Sequence, residues 1–352
     1  MWYSDDSKER KDDVIMKTYD ITPIIENIHR TVESHRVEVG SYARWLWQNE
    51  KGDREMGSNP YGCADAANIL YSIGAFPRDP EERAAWVRVL QDMQGEDGLF
   101  HERTHHPIHT TAHCAAALEL FDASPARPRT ALLPYLEYDN FKGLMDGLNW
   151  SGNPWSESHK GAGVYVALNL CGAATRKWND DYFAWFWDNT DPETGMWMQP
   201  RYLDVERKAP IYYYMAGTFH YLFNHEYAHM PLRYPEKMID SCIAMYDDRE
   251  NGLPKSFGTS SNFLEIDWIF CLTRAQRQTP HRFWEVRERL EDFAEQYLDF
   301  WYNVDWNKNE SVNDLHTLFG GVCGLAELQQ TLRGKMVSDV PLKLVLDRRP
   351  FI

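Results

Sequence analysis

Two kinds of predicted helix alternate six times along the chain, and this alternation constrains the fold more than any other feature. Segments rich in small residues lie at 63–73, 110–121, 159–171, 212–227, 262–275 and 314–328. Longer, charged amphipathic segments lie at 23–47, 80–94, 128–148, 179–189, 235–247 and 280–302. Helical periodicity dominates and strand alternation is nearly absent, so the sequence predicts an all-α fold of six helical pairs.

The repeat length indicates how these pairs assemble. Landmark residues recur every forty to fifty-seven positions, at Gly57, Gly98, Gly152, Gly195, Gly252 and Trp306. Two helices per repeat of this length build either an open solenoid or a closed ring. Small residues such as Ala115, Gly161 and Gly217 let helix backbones approach closely, as an inner ring requires. We therefore predict one (α/α)6 toroid at 23–333, between a charged N-terminal extension (1–22) and an extended tail (334–352). An open superhelix is the alternative.

The composition argues against several classes of partner. The chain carries 37 Lys and Arg against 53 Asp and Glu, a formal charge of −16. Proteins that bind nucleic acid or anionic membranes use an excess of Lys and Arg, so neither partner is expected. We find no run of eighteen apolar residues, and the N-terminus is charged from the start, so neither a membrane span nor a signal peptide is predicted. The six cysteines lie singly, which favours reduced thiols in a cytoplasmic protein over disulfides.

Two loops carry a resemblance to known families. Asp97-Gly98-Leu99-Phe100 and Thr194-Gly195-Met196-Trp197 each precede an inner helix. They resemble repeats of the six-hairpin glycosidases, which include the unsaturated glucuronyl hydrolases. The stretch 91–100 (QDMQGEDGLF) is also similar to the Gln-and-aromatic repeat of terpenoid cyclases and protein prenyltransferases, which share the toroid. The resemblance covers roughly 23–333 as a fold pattern, and the glycosidases imply a carbohydrate-active enzyme.

In such a toroid, the loops that enter the inner helices converge at one mouth of the central cavity. Polar residues from every repeat map there: Asp65, Glu102, His105, His106, His109, His113, Glu157, His159, Tyr212, Tyr213, Tyr214, Glu265, Asp267, Asp314 and His316. Aromatic residues are expected around them: Phe100, Trp150, Trp155, Trp197, Trp268 and Trp306. Carboxylates in a cleft lined by Trp and Tyr suit a carbohydrate, and burial beside aromatic rings would raise the pKa of a general acid.

The leading hypothesis is a glycoside hydrolase or lyase that acts on a small oligosaccharide, for example one carrying a uronic acid. For hydrolysis we expect Asp267 and Glu157 as acid and base, with Asp314 in reserve. His109 and His113 would orient the substrate or share proton transfer. In a lyase, Tyr213 and a histidine within 105–113 would be base and acid. Substrate contacts are expected from Glu102, His105, His106, Trp155, His159, Trp197, Trp268 and His316.

Structural roles are the alternative for these carboxylates. Asp65, Asp267 and Asp314 lie among apolar neighbours, where a hydrogen bond to the adjacent hairpin would also satisfy them. Glu157 directly precedes a predicted helix and could cap it.

No cofactor is predicted, but the histidines leave zinc open. His109 and His113 share a helix face, and His105 or Glu102 could complete a zinc site. The stretch 225–229 (HEYAH) matches the HExxH pattern of zinc proteases, although Pro231 places it at the far end of its helix.

Two further functions are weighed against the carbohydrate enzyme. Terpenoid chemistry would need an Asp-x-Asp-Asp motif or an Asp-rich magnesium site, and the sequence has neither. The prenyltransferase-like Asp240-Ser241-Cys242 lies on a predicted outer helix. A non-catalytic glycan-binding scaffold is the remaining alternative.

Overall fold

The computed structural model describes residues 18–352, and α-helices make up most of this range. The helices are α1 Thr22–Ser34, α2 Pro60–Ser72, α3 Pro80–Asp92, α4 Pro107–Glu119, α5 Tyr138–Asp146, α6 Pro154–Leu170, α7 Arg176–Asn189, α8 Ile211–Tyr227, α9 Pro235–Asp247, α10 Phe263–Gln276, α11 Phe283–Asn303, α12 Glu310–Asn313, α13 Leu315–Thr331 and α14 Val345–Arg348. A 3₁₀ helix, Thr130–Leu136, precedes α5. The strands β1 Tyr19–Asp20 and β4 Met336–Val337 pair in parallel, and β2 Arg36–Glu38 pairs antiparallel with β3 Ser41–Tyr42. The predicted all-α class is confirmed.

The six segments rich in small residues correspond to α2, α4, α6, α8, α10 and α13. Prolines and capping side chains set where several of them begin. Proline occupies the first turn of α2, α4 and α6, where its missing N–H costs nothing. Asn59 caps α2, and the Asp314 carboxylate accepts a hydrogen bond from the His316 backbone N–H to cap α13. These caps fix the first turns, and most of the candidate site residues lie in those turns or within a few residues of them.

The amphipathic segments differ from their predicted bounds in two places. The segment predicted as helix 23–47 ends at Ser34, because residues 36–42 form the β2–β3 hairpin. Gly40 in its turn has a φ of +77°, a backbone conformation that favours glycine. The segment predicted as helix 128–148 is divided into the 3₁₀ helix, which contains Pro134, and α5.

The inner helices pack on one another in a cyclic order. The contacts run from α2 through α4, α6, α8, α10 and α13, and α13 contacts α2 again. Glycines permit close approach at two of these contacts. A Cβ at Gly163 would lie 2.8 Å from the Ile108 side chain, and one at Gly217 would lie 3.0 Å from the Pro154 carbonyl oxygen. α3 contacts α2 and α4, α9 contacts α8 and α10, and α11 contacts α9 and α10.

The segment 334–352, predicted to be extended, contains strand β4 and the one-turn helix α14. α14 contacts α2 and α8, which are three steps apart in the cycle of contacts. Arg348 donates to Glu119 in the last turn of α4 at 2.8 Å. Arg349 and Phe351 are fully buried, and the Phe351 ring lies 5.2 Å from that of Phe223. The segment therefore crosses the end of the inner helices opposite to their first turns.

None of the six cysteines forms a disulfide, and all but Cys171 are buried. Among the helices of the described range, we find none with the length and apolar character that crossing a membrane requires.

Candidate functional site

A dense group of histidines lies between the inner helices. We define the histidine cluster as Tyr61, Asp65, His105, His109, His113, His159, His220 and His316. The Tyr61 ring is at its centre, and four imidazole rings surround it: His105 at 4.5 Å, His316 at 4.7 Å, His113 at 5.0 Å and His109 at 5.8 Å between centroids. The His159 ring lies 4.2 Å from that of His109 and 4.1 Å from that of His220. The cluster thus joins residues from α2, α4, α6, α8 and α13.

Helical spacing explains much of this arrangement. Tyr61 and Asp65 are four residues apart on α2, and His109 and His113 are four apart on α4, so each pair shares a helix face. The two faces pack against each other so that the first residue of one pair contacts the first of the other, and the second contacts the second. The Tyr61 hydroxyl forms a hydrogen bond with Nδ1 of His109, and Nε2 of His113 lies 2.8 Å from Oδ1 of Asp65. From α13, Nδ1 of His316 reaches the same Asp65 oxygen at 3.0 Å.

Burial and hydrogen bonding fix the protonation states in the cluster. Burial raises the pKa of Tyr61 and lowers the pKa of His109 and His113. The pKa of His316 falls to about 4, chiefly through burial. Burial would raise the pKa of Asp65, but the interactions with His316 and His113 outweigh it and lower that pKa. At neutral pH, His109, His113 and His316 are therefore neutral, Tyr61 is protonated and Asp65 is ionised.

An arginine from the loop after β3 covers one side of the cluster. Arg44 binds Asp314 through two hydrogen bonds of 2.8 and 2.9 Å, and its guanidinium lies 5.0 Å from the Tyr61 ring centroid. It also donates to Thr104 at 2.7 Å and lies 3.8 Å from Glu102. Burial would raise the pKa of Asp314, but Arg44 outweighs it and lowers that pKa.

A solvent-accessible cleft adjoins this pair. The upper cleft, as we call it, has a volume of about 600 Å³ and is lined by residues that include Trp47, Glu310, Asp314 and Thr317. The Trp47 indole donates to Glu310 at 3.1 Å, so its ring is held at the cleft wall. Asp314 both lines the cleft and binds Arg44, so it lies between the cleft and the arginine that covers the Tyr61 ring.

Several of the predicted site residues meet here. The cluster includes His105, His109, His113, His159 and His316, and Asp314 and Glu102 lie at its border. Glu102 accepts hydrogen bonds from Thr104 and contacts Nδ1 of His105 at 3.0 Å. His106 lies outside the cluster, where its ring accepts from the Ile108 backbone N–H and caps α4.

The proposed carboxylate pair is not joined by any contact among the described residues. Glu157 binds Lys160 at 2.8 Å and the Asn149 backbone N–H at 3.3 Å in the first turn of α6. Asp267 is fully buried, its two carboxylate oxygens have no hydrogen-bond partner in the described chain, and burial raises its pKa well above the usual range. Tyr213 contacts the Trp155 ring at 5.7 Å, and both lie in first turns of inner helices.

Two of the tryptophans expected to contact substrate, Trp197 and Trp268, are covered by protein. The Trp197 indole donates to the Phe186 carbonyl, and its ring stacks on that of His225 at 4.6 Å. Trp268 is fully buried, and its indole donates to the Cys242 carbonyl. Both rings therefore pack between inner and outer helices.

Sequence reasoning missed three residues of this site. Tyr61 could have been predicted, because it lies four residues before Asp65 and so shares its helix face. His220 could have been noticed as a polar residue in the mainly apolar stretch of α8. Arg44 falls within a segment predicted to be helical, so its side chain had no predicted place in the site.

The HExxH match does not form a metal site. α8 ends at Tyr227, and His229 has a φ of +56°, so the two histidines do not share a helix face. His225 Nδ1 contacts the Tyr221 carbonyl, and Glu226 forms ion pairs with two arginines. Asp240 of the Asp-x-Cys match lies on α9 and pairs with His281 and Arg282.

Comparison of the chain with protein-family models, with curated proteins and with solved structures finds no match in any of the three.

Proposed function

We propose that the chain is an (α/α)6 toroid and a carbohydrate-active enzyme that performs acid–base chemistry at the histidine cluster. Support for the toroid comes from the cyclic order of contacts among the six inner helices and from the outer helices packed on them. One observation carries the functional proposal: the hydrogen bond between the Tyr61 hydroxyl and Nδ1 of His109, among imidazoles that burial keeps neutral.

This pair suits β-elimination from an oligosaccharide that contains a uronic acid. In that reaction a base removes the proton on the carbon next to the carboxylate. The C–H electrons form a C=C bond, and the glycosidic C–O bond breaks as its oxygen takes a proton. A neutral histidine can accept the first proton, and a protonated tyrosine can donate the second. Compared with the lyase pair expected from the sequence, Tyr61 replaces Tyr213, His109 is the histidine of 105–113, and the roles of base and acid are exchanged.

Substrate would reach the pair from the upper cleft. The Asp314 side chain is 16% exposed and that of His105 is 18% exposed, whereas Tyr61 is fully buried. The proposal therefore includes movement of Arg44, which lies over the Tyr61 ring, when substrate binds. A carboxylate on the substrate would compete with Asp314 for the same guanidinium.

Glycoside hydrolysis is the second candidate, and Asp267 favours it. Full burial without a hydrogen-bond partner raises the pKa of the Asp267 carboxyl, as a general acid requires. In this version Glu157 or Asp314 would act as the second carboxylate.

A panel of saturated and uronic-acid-containing oligosaccharides tests the proposal. Elimination creates a conjugated C=C bond that absorbs in the ultraviolet, whereas hydrolysis releases reducing ends without this absorbance. We expect Tyr61→Phe to lower kcat by about 10²-fold or more, the usual contribution of a general acid or base. Tyr227→Phe, in the last turn of α8 and outside the histidine cluster, is the matched control and should keep full activity.

Each other result has a definite meaning. Reducing-end release that is lost in Asp267→Asn and kept in Tyr61→Phe supports hydrolysis and contradicts the elimination. Glycan binding without any turnover identifies a binding scaffold. Turnover of isoprenoid diphosphates alone refutes both carbohydrate reactions.

A further inference from the structure

Two histidines and a carboxylate form a compact group within the histidine cluster. We propose that Asp65, His113 and His316 together bind one divalent transition-metal ion, Zn²⁺ by preference. The three residues come from α2, α4 and α13, which contact one another in the cyclic order of inner helices. One ligand atom of each lies within 4.8 Å of those of the other two. Within residues 18–352, no other set of three His, Cys, Asp or Glu side chains brings its ligand atoms this close together.

The distances fit a metal site that closes with small side-chain movements. His113 Nε2 and His316 Nδ1 lie 2.8 and 3.0 Å from Oδ1 of Asp65. Zinc binds nitrogen and oxygen at about 2.0–2.2 Å, so tetrahedral ligands are about 3.3 Å apart. The two contacts would lengthen by roughly 0.3–0.5 Å, a change that rotation of the three side chains can supply.

The charges around the three ligands suit a cation. The side chains of Asp65 and His113 are fully buried and that of His316 is 5% exposed, so solvent ions screen these charges little. The other charged groups facing the cluster are Arg44, Arg349, Glu102 and Asp314. With Asp65 included, three carboxylates oppose two guanidinium groups, so one negative charge remains for the metal to neutralise.

An unpartnered carboxylate oxygen gives a second, independent indication. Oδ2 of Asp65 is buried and has no hydrogen-bond partner within the described part of the chain. A buried carboxylate oxygen without a donor is costly, because its lost hydration is not replaced. A metal ion bound across both Asp65 oxygens would offset that cost. The Phe319 ring, 5.9 Å from that of His113, supplies an apolar wall.

The donor set selects the class of metal. Two imidazole nitrogens and one carboxylate oxygen suit Zn²⁺ and Fe²⁺, whereas Mg²⁺ and Ca²⁺ prefer sites made of oxygen ligands. With three protein ligands, a zinc ion keeps a fourth position for water or substrate. The site goes beyond the proposed elimination, since it could serve either hydrolysis or elimination or stabilise the fold.

Metal binding can be measured without any substrate. The full chain is stripped with a chelator, incubated with Zn²⁺ and passed through a desalting column, and its metal content is read by mass spectrometry. We expect one equivalent of Zn²⁺, a higher Tm than that of the stripped protein, and a visible absorption band when Co²⁺ replaces Zn²⁺. Failure to bind either ion at stoichiometric level by folded protein overturns the proposal, and it leaves the proposed elimination at Tyr61 and His109 intact.

Variants locate the ion. Asp65→Asn, His113→Gln and His316→Gln should each weaken Zn²⁺ affinity at least 100-fold. His225→Gln, which changes a buried histidine outside the cluster, should leave the affinity unchanged. If the Asp65 variant does not fold, the two histidine variants still decide the matter, and the Co²⁺ band of the wild type reports imidazole ligation directly. A bound ion that survives all three substitutions places the site elsewhere and refutes the assignment.

Discussion

Arg274 is a buried cation that links the C-terminal segment to the inner helices. Its side chain is 1% exposed, and it donates to Glu327 of α13 through both terminal nitrogens and to Asp347 of α14 at 2.8 Å. Arg274→Met keeps most of the aliphatic volume but leaves Glu327, 3% exposed, without its cation. Removing one partner of a buried ion pair costs about 3–5 kcal/mol, so we expect a loss of that size in the free energy of unfolding.

Arg277 on the next turn provides the matched control. It binds Glu226 and Asp347 at 3.0 Å each, but its side chain is 41% exposed. Because water screens such pairs, Arg277→Met should cost less than about 1 kcal/mol. Both variants are compared with the wild type by urea unfolding, followed by circular dichroism and tryptophan fluorescence.

A double variant separates the charge effect from lost packing. Arg274→Met combined with Glu327→Leu removes both charges and should recover most of the stability, since neither group is then buried alone. Our reasoning is refuted if Arg274→Met costs no more than Arg277→Met, or if the double variant is less stable than Arg274→Met.

Three further perturbations follow from the same structure. Burial lowers the pKa of His220 to about 3 and that of His225 to about 4, so the unfolded chain binds more protons between about pH 4 and 6.5. In urea unfolding at a series of pH values, the free energy of unfolding should decrease as pH is lowered from 6.5, by about 1.4 kcal/mol per pH unit for each of the two histidines. A free energy that does not change with pH would contradict this. Burial raises the pKa of Asp267, so ionising this carboxyl makes the folded protein less stable as pH rises. Asp267→Asn should therefore have a higher Tm than the wild type at pH 8 and the same Tm below about pH 4, where both side chains are neutral. Gly98 has a φ of +81°, and a Cβ there would lie 1.8 Å from a backbone oxygen. Gly98→Ala should lower the free energy of unfolding, measured in urea, by more than about 2 kcal/mol. Gly52→Ala is the control, because Gly52 also has a left-handed φ but an added Cβ meets no atom within 4 Å; its cost should be about 1 kcal/mol.

Features that depend on neighbouring residues were predictable from the sequence. The inner helices could be located because small residues lie within a few positions of the helix start, in several cases together with a first-turn proline or a capping side chain. The pairing of His109 with His113 followed for the same reason, since helical spacing alone puts both on one face.

Features that depend on residues distant in the sequence could not be predicted. The segment 35–47 was predicted as helix, but its backbone is bound by residues far along the chain: the N–H groups of Leu46 and Trp47 donate to the Asn313 side chain. Arg44 meets Asp314 in the same way. Helical periodicity carries no information on such contacts, so the covering of the histidine cluster could not be anticipated.

The candidate carboxylate pair shows the same limit. Asp267 and Glu157 were combined because both were expected near one mouth of a ring. Their actual surroundings, an apolar interior for one and a lysine for the other, are set by how the helices rotate about their axes.

The C-terminal segment determines how a ligand could move through the protein. A ring of helices open at both ends would let a long polymer thread through it. Here α14 lies across one end, and Phe351 fills the space behind it, 4.9 Å from the His109 ring. In the described part of the chain, this side of the histidine cluster is thus covered by protein. For the proposed carbohydrate-active enzyme, substrate would then enter and leave on the side of Arg44, which would favour chain ends and short oligosaccharides over internal positions of a long polymer, and the product formed deepest would leave last.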